Sequence, residues 1–268
     1  MTTIQEGDWV VCYVVGERPY MTHVDSKKFL DTHKGKLEHA EIIGKNYGSY
    51  VKTNTNVPIV LMRPTTEDFV MSARRASNIS YPKDISRILF RLGINAGCRV
   101  VELGSGSGGM SISLAMAVKP SGKIYSYDIR DDHLDRARKN VERLGLGEFV
   151  EFKKRPPRVP VEESGAYAVI MDIPEPWTEL ETARAALAPG GYVACTVPSY
   201  NQLEEFNSAL GPAGFMALES LEILNRNIVA RDGRTRPDHR MTGHTQFVHF
   251  AYMLDKPNAT GGNDEPGS

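Results

Sequence analysis

The sequence predicts an α/β protein in which a parallel sheet with helices on both faces follows a small β-rich module, and three observations predict it. From Asp84 onward, short apolar runs alternate with stretches whose apolar residues recur at helical spacing. One of those runs, Arg99–Leu103 (RVVEL), ends in the glycine-rich loop GSGSGG. The first 70 or so residues instead break into short β-branched runs punctuated by Gly, Asn, Asp and Pro.

Taken in order, Trp9–Val15, Glu41–Ile43, Tyr50–Thr53 and Ile59–Met62 read as strands of the first module, a small barrel or sandwich over residues 1–70. Ile85, Ile88, Leu89 and Leu92 then mark a helix. Arg99–Leu103, Lys123–Tyr127, Phe149–Phe152, Ala168–Met171 and Gly191–Val197 follow as strands, with helices at Met110–Val118, Asp131–Leu144, Leu180–Leu187 and Gln202–Leu210. Phe215–Leu224 and Thr245–Met253 have no clear helix between them and are expected to pair antiparallel at one edge. This second domain spans 71–254, and 255–268 (DKPNATGGNDEPGS) reads as a disordered tail with nothing to bury.

Composition narrows the function classes. Of 268 residues, 32 Lys and Arg stand against 33 Asp and Glu, a net charge of −1, with 41% hydrophobic residues, which excludes a disordered chain and a histone-like basic protein. Any nucleic-acid binding must therefore come from local patches, and two are visible. Arg226, Arg231, Arg234, Arg236 and Arg240 face only Asp232 and Asp238, and Lys27, Lys28, Lys34, Lys36, Lys45 and Lys52 face only Asp31, Glu38 and Glu41. Cys12, Cys98 and Cys195 form no CxxC pair, so no metal site and no disulfide framework is expected. No apolar run reaches 18 residues and the N-terminus lacks a signal-peptide pattern, so the expected location is the cytoplasm, without a membrane span.

The chemistry is concentrated in two loops. Gly104-Ser105-Gly106-Ser107-Gly108-Gly109 joins a strand to a helix, where a sharp turn and close ligand approach require glycine. Asp128, at the end of the next strand, is placed to accept hydrogen bonds from ribose hydroxyls, and His133 follows within reach of the same ligand. The loop satisfies GxGxxG, so a nicotinamide dinucleotide stays open. S-adenosyl-L-methionine is favoured because the loop also fits GxGxG, because Glu102 precedes it and an acidic residue suits a cationic ligand better than a phosphate, and because DIPEPW (Asp172–Trp177) follows two strands later. DIPEPW falls at the ligand-facing end of the fourth strand. Asp172 there can accept from an adenine N6 amino group and stabilise positive charge as N1 is alkylated. Trp177 is expected to pack beneath the loop.

These residues resemble the TrmI/Trm61 family of tRNA (adenine-N1)-methyltransferases. The resemblance covers nearly the whole chain through HKG (33–35), IIGKNYGSYV (42–51), LMRPTTEDF (61–69), NISYPKD (78–84), VVELGSGSGG (100–109), SYDIRDDHLDRARKNVERLG (126–145), MDIPEPW (171–177), VPSYNQ (197–202) and RPDHRMTGHTQF (236–247). It implies a Rossmann-like, seven-stranded class I methyltransferase domain behind the small N-terminal β domain, a homotetramer, and transfer of a methyl group from S-adenosylmethionine to N1 of adenine 58 in the T-loop of tRNA, with adenine 57 a second target in archaea.

Carried over by position, Gly104–Gly109 surround the cofactor with Glu102, Asp128 holds its ribose, and Tyr81 and Asp172 flank the target base. Asn78, Ile173, Pro174, Gln202, Arg234, Arg236 and His244 join the expected substrate contacts. Two departures from the family pattern stand out. Asp128 replaces the usual Glu, and the acidic residue expected after the third strand to hold the cofactor's adenine is absent, because Lys153-Lys154-Arg155-Pro156-Pro157 stands there. Rival readings are another methyl acceptor (an isoaspartyl protein or adenine N6), a non-catalytic tRNA-binding subunit and a nicotinamide oxidoreductase. The N6 reading expects adjacent prolines where Glu175 separates Pro174 from Pro176, and non-catalytic partners lose the glycine loop that this chain keeps.

Overall fold

A computed structural model describes residues 3–14, 19–74 and 79–255, so Val15, Asn78 and residues 256–268 of the expected tail lie outside the described residues. The chain divides into two compact units, Met1–Ser72 and Ala73–Ser268.

In the first unit, β1 (Trp9–Val14), β2 (Tyr20–His23), β3 (Phe29–Thr32), β4 (Gly35–Glu38), β5 (Tyr50–Lys52) and β6 (Pro58–Met62) precede a short helix, α1 (Thr66–Met71). Four strands form an antiparallel sheet in the order β2-β1-β6-β5, and β3 and β4 pair as a separate hairpin. Ile4, Val10, Cys12, Leu37, Ile42, Ile59 and Leu61 are the centre of its core. Glu41–Ile43 is not a strand. His39–Glu41 is a single 3-10 turn in which the Ile42 amide bonds the His39 carbonyl, and Ile42 reaches the core from that turn. The buried His39 holds it there, taking a hydrogen bond from the Asp25 amide (3.1 Å) and sharing one with Thr22 (3.0 Å). Three residues, Glu-Ile-Ile, are too few for periodicity to distinguish strand from turn.

The second unit runs α2 (Pro82–Leu92), β7 (Arg99–Leu103), α3 (Gly109–Val118), β8 (Lys123–Asp128), α4 (Asp131–Glu142), β9 (Val150–Lys154), β10 (Ala166–Met171), α5 (Leu180–Ala186), β11 (Leu187–Val197), α6 (Tyr200–Leu210), β12 (Phe215–Glu222), β13 (Ile228–Val229), β14 (Arg236–Pro237) and β15 (Phe247–Met253). Seven strands form one sheet in the order β12-β15-β11-β10-β7-β8-β9. All pairs are parallel except those of β15, which is antiparallel to both β11 and β12. The expected edge pair therefore exists, with the later strand inserted inside the earlier one.

The central strands are buried along nearly their whole length, as a sheet covered on both faces requires. Val101, Leu103, Val169, Met171, Val193, Cys195, Phe206 and Phe215 belong to one continuous core, against which Trp177 packs. From β7 the chain builds outward through β8 and β9, then returns to place β10 on the other side of β7. That reversal opens a crevice at the carboxyl ends of β7 and β10, the place where open α/β sheets take their ligands.

Candidate active site

At the reversal, Leu103 lies opposite Met171, and the Asp172 amide bonds the Leu103 carbonyl at 2.8 Å, so the glycine loop and DIPEPW leave the sheet side by side. Gly104 (φ +101°) is the contact between them. A Cβ there would lie 2.1 Å from the Asp172 carbonyl oxygen, so no other residue fits without moving backbone. Gly108 (φ +80°) opens α3, where a Cβ would press within 3.0 Å of Ala137 in α4.

A cavity of about 1060 Å³ occupies this end of the sheet. Gly104, Ser105, Gly106, Ser107 and Gly109 line it, while Gly108 lies behind as packing. Asp128 lines the next wall. Its carboxylate accepts from the Gly106 amide (3.1 Å) and the Arg130 amide (3.0 Å) and pairs with His133 Nδ1 (3.1 Å). The loop, the acid and the histidine are thus one assembly, and the buried Nε2 of His133 has no hydrogen-bond partner.

Glu102 is placed otherwise than the sequence reading expects. It is fully buried beneath the loop and does not line the cavity. Ser111 of α3 donates to its Oε2 at 2.5 Å, and Oε1 has no partner. Burial pushes its pKa up to about 7, against hydrogen bonds from Ser111 and Ser126 that pull it down. β7 is buried on both faces, and Glu102, tied to α3 through Ser111, lies under the turn and does not reach the cavity.

Asp172 does face the cavity. Ser80 donates to Oδ2 at 2.5 Å and Thr196 of β11 donates to Oδ1 at 2.9 Å. Burial raises its pKa, opposed by those two hydroxyls and reinforced by the charges of Asp128 and Asp84. Next to Ser80, Tyr81 is the extended N-cap residue of α2, just ahead of Pro82, half-buried and on the cavity wall. Ile173 and Pro174 line the opening, and Gln202 bridges to it, donating to the Pro174 carbonyl at 3.0 Å while accepting from Ser199 at 2.7 Å.

His244 also lines the cavity, between two acceptors, Glu222 Oε1 (2.6 Å) and the Pro198 carbonyl (2.8 Å). Only the imidazolium donates to both, and Glu222 raises its pKa. The next residue, Thr245, donates to the buried Asp84 (2.9 Å) and accepts from Lys83 (2.5 Å), which ties the GHT segment to YPKD. Ser80, Thr196, Thr242, Thr245 and Gln246 are site residues that the sequence reading missed. Ser80, Thr242, Thr245 and Gln246 lie inside the motifs that carry the resemblance, whereas nothing in β11 distinguishes Thr196 from a core threonine.

Arg234 and Arg236 are not brought to the cavity. They belong to an exposed excursion carrying β13 and β14, together with Arg226, Arg231 and Arg240. The six lysines of the other patch are all exposed in the first unit. Among the described residues there is no group of three or more His, Cys, Asp or Glu that could hold a metal ion, and no helix long and apolar enough to cross a membrane.

A family model described as tRNA methyltransferase complex GCD14 subunit matches residues 58–245. The chain is 31% identical over 232 residues to the tRNA (adenine(58)-N(1))-methyltransferase TrmI of Thermus thermophilus, covering 86% of this chain and 91% of that one. It is 30% identical over 236 residues to the tRNA (adenine(57)-N(1)/adenine(58)-N(1))-methyltransferase TrmI of Methanocaldococcus jannaschii, covering 78% and 84%. Among solved structures it is similar to a SAM-dependent O-methyltransferase from Thermotoga maritima, with a TM-score of 0.89 and 31% identity over 96% of this chain and 97% of that one.

Proposed function

The chain belongs to the GCD14 family of tRNA methyltransferase subunits, and from that premise we propose a mechanism in which it transfers a methyl group from S-adenosylmethionine to N1 of adenine 58 in tRNA. The observation that carries this reading is Asp172, a cavity-facing carboxylate next to the glycine loop, with Tyr81 beside it.

The residues present fit the cofactor. Asp128 supplies a carboxylate for ribose hydroxyls, the loop from Gly104 to Gly109 leaves room for a close approach, and the unpartnered Nε2 of His133 sits against the same wall. When bound, S-adenosylmethionine supplies an electrophilic methyl group with a neutral thioether as its leaving group. The protein's task is then alignment, since adenine N1 is itself the nucleophile and no side-chain nucleophile is required. In tRNA the reacting edge is engaged by folding, so the base must be drawn out and held, a role for Tyr81. Asp172, fixed by Ser80 and Thr196, accepts from the N6 amino group and offsets the positive charge that develops as N1 gains its methyl. Ile173, Pro174, Gln202 and His244 form the mouth through which the base enters, and the arginine excursion and the lysine patch supply phosphate contacts. Asn78 is assigned to the same mouth from the motif alone.

A homotetramer in the cytoplasm completes the reading, because each added copy multiplies the basic surfaces available to one tRNA; light scattering of the purified protein tests the stoichiometry. Mass spectrometry of a digested tRNA transcript after incubation with S-adenosylmethionine tests the reaction. The expected product is 1-methyladenosine at position 58, and a second methyl at 57 extends the specificity. Transfer to a different atom or to protein alone overturns the assignment of acceptor.

A further inference from the structure

We propose that the Arg155–Glu179 ion pair reads the adenine of the bound cofactor, replacing the acidic side chain that is missing after β9; this rests on the cofactor reading above. Both residues line the cavity, as do Asp128 and Ile129. Glu179 is 1% exposed and Arg155 9%, with Arg155 Nη2 3.0 Å from Glu179 Oε2.

The pair is anchored on its far side. The Arg158 amide donates to Glu179 Oε1 at 2.7 Å, the Arg155 guanidinium donates to the Val159 carbonyl, and the Arg155 amide bonds the Asp128 carbonyl at 3.1 Å. Two buried atoms are left without a hydrogen bond: Glu179 Oε2, whose contact with Arg155 is electrostatic and poorly aligned, and Arg155 Nε. Unmet buried polar atoms are rare and each requires a reason. Here one is an acceptor and the other a donor, on neighbouring side chains of one cavity wall.

That is the complement of an adenine edge, which presents the N6 amino donor beside ring-nitrogen acceptors. The main chain of the loop after β9 offers no donor at the next two positions, because Pro156 and Pro157 carry no N–H. Hypoxanthine reverses the pattern, with an oxygen acceptor at position 6 and a donor at N1. Facing the Glu179 carboxylate it leaves two acceptors opposed.

The test measures binding of S-adenosylhomocysteine and S-inosylhomocysteine to the full chain by calorimetry. The wild type is expected to bind the adenosyl compound at least tenfold more tightly, about 1.4 kcal/mol. In Glu179→Gln, whose amide can donate to the hypoxanthine oxygen, the ratio should fall to about two or below. Equal affinities in the wild type, or an undiminished ratio in the variant, overturn the proposal and leave the cofactor reading intact. Failure of the wild type to bind either compound removes the cofactor reading and the proposal with it. If circular dichroism shows Glu179→Gln unfolded, Glu179→Asp, which keeps the charge but withdraws it from the wall, is judged by the same ratio.

Discussion

Glu102→Gln should make the protein's stability less dependent on pH, and the size of the effect follows from where Glu102 sits. The side chain is fully buried and its pKa is raised from about 4.5 to about 7. A carboxyl whose folded pKa lies above its unfolded one contributes stability that is present below the unfolded value and lost as pH rises through the folded value. At 1.36 kcal/mol per pKa unit, this group costs the wild type about 2–3 kcal/mol between pH 5 and pH 8. Glutamine keeps the shape and the acceptor for Ser111 but has no proton to lose. Urea unfolding of both proteins at pH 5 and pH 8 isolates the difference, since other titrating groups cancel. The variant should gain about 2–3 kcal/mol on the wild type across that interval. A constant difference at the two pH values would refute the reasoning and mean that Glu102 is already ionised at pH 5 in the folded protein.

Removing the Ser80 hydroxyl takes away a hydrogen bond that favours the Asp172 carboxylate, so Ser80→Ala should move the acidic limb of the kcat/KM profile to higher pH, whereas an unmoved limb shows that Asp172 ionisation does not limit the rate. Gly104→Ala places a Cβ against the Asp172 carbonyl and should cost more than about 3 kcal/mol in chemical denaturation or, where the chain still folds, abolish calorimetric binding of S-adenosylhomocysteine; near-wild-type behaviour on both would reject the close approach. Arg234→Ala with Arg236→Ala should weaken tRNA binding and flatten the plot of log affinity against log salt by roughly 1.5, the share of two phosphate contacts, and an unchanged slope would remove this excursion from the interface.

Much of the fold is written locally. Burial on both faces of a parallel strand leaves a continuous apolar run, and amphipathic helices leave a period, so each strand of the seven-stranded sheet and each helix of the second unit is visible in the sequence near its observed position. The glycine loop and DIPEPW are legible for the same reason, because a sharp turn needs glycine and a stiff loop needs proline within a few residues. The small strands β2, β3, β4, β13 and β14 are not legible, since two to four residues paired with a neighbouring strand carry almost no periodic signal.

What only the tertiary structure decided is which distant residues meet. The insertion of β15 between β11 and β12 is a choice of pairing that no local pattern encodes. Ser80 and Thr196 reach Asp172 across 92 and 24 residues, and Thr245 reaches Asp84 across 161. The same holds for the charges. Glu102 reads as a ligand-facing acid until the sheet buries it, and Arg155 reads as the loss of an acidic contact until α5 and the turn before it bring Glu179 alongside. Residue identity sets what a side chain can donate, accept or ionise; the packing of remote segments sets what it faces and at what pH it does so.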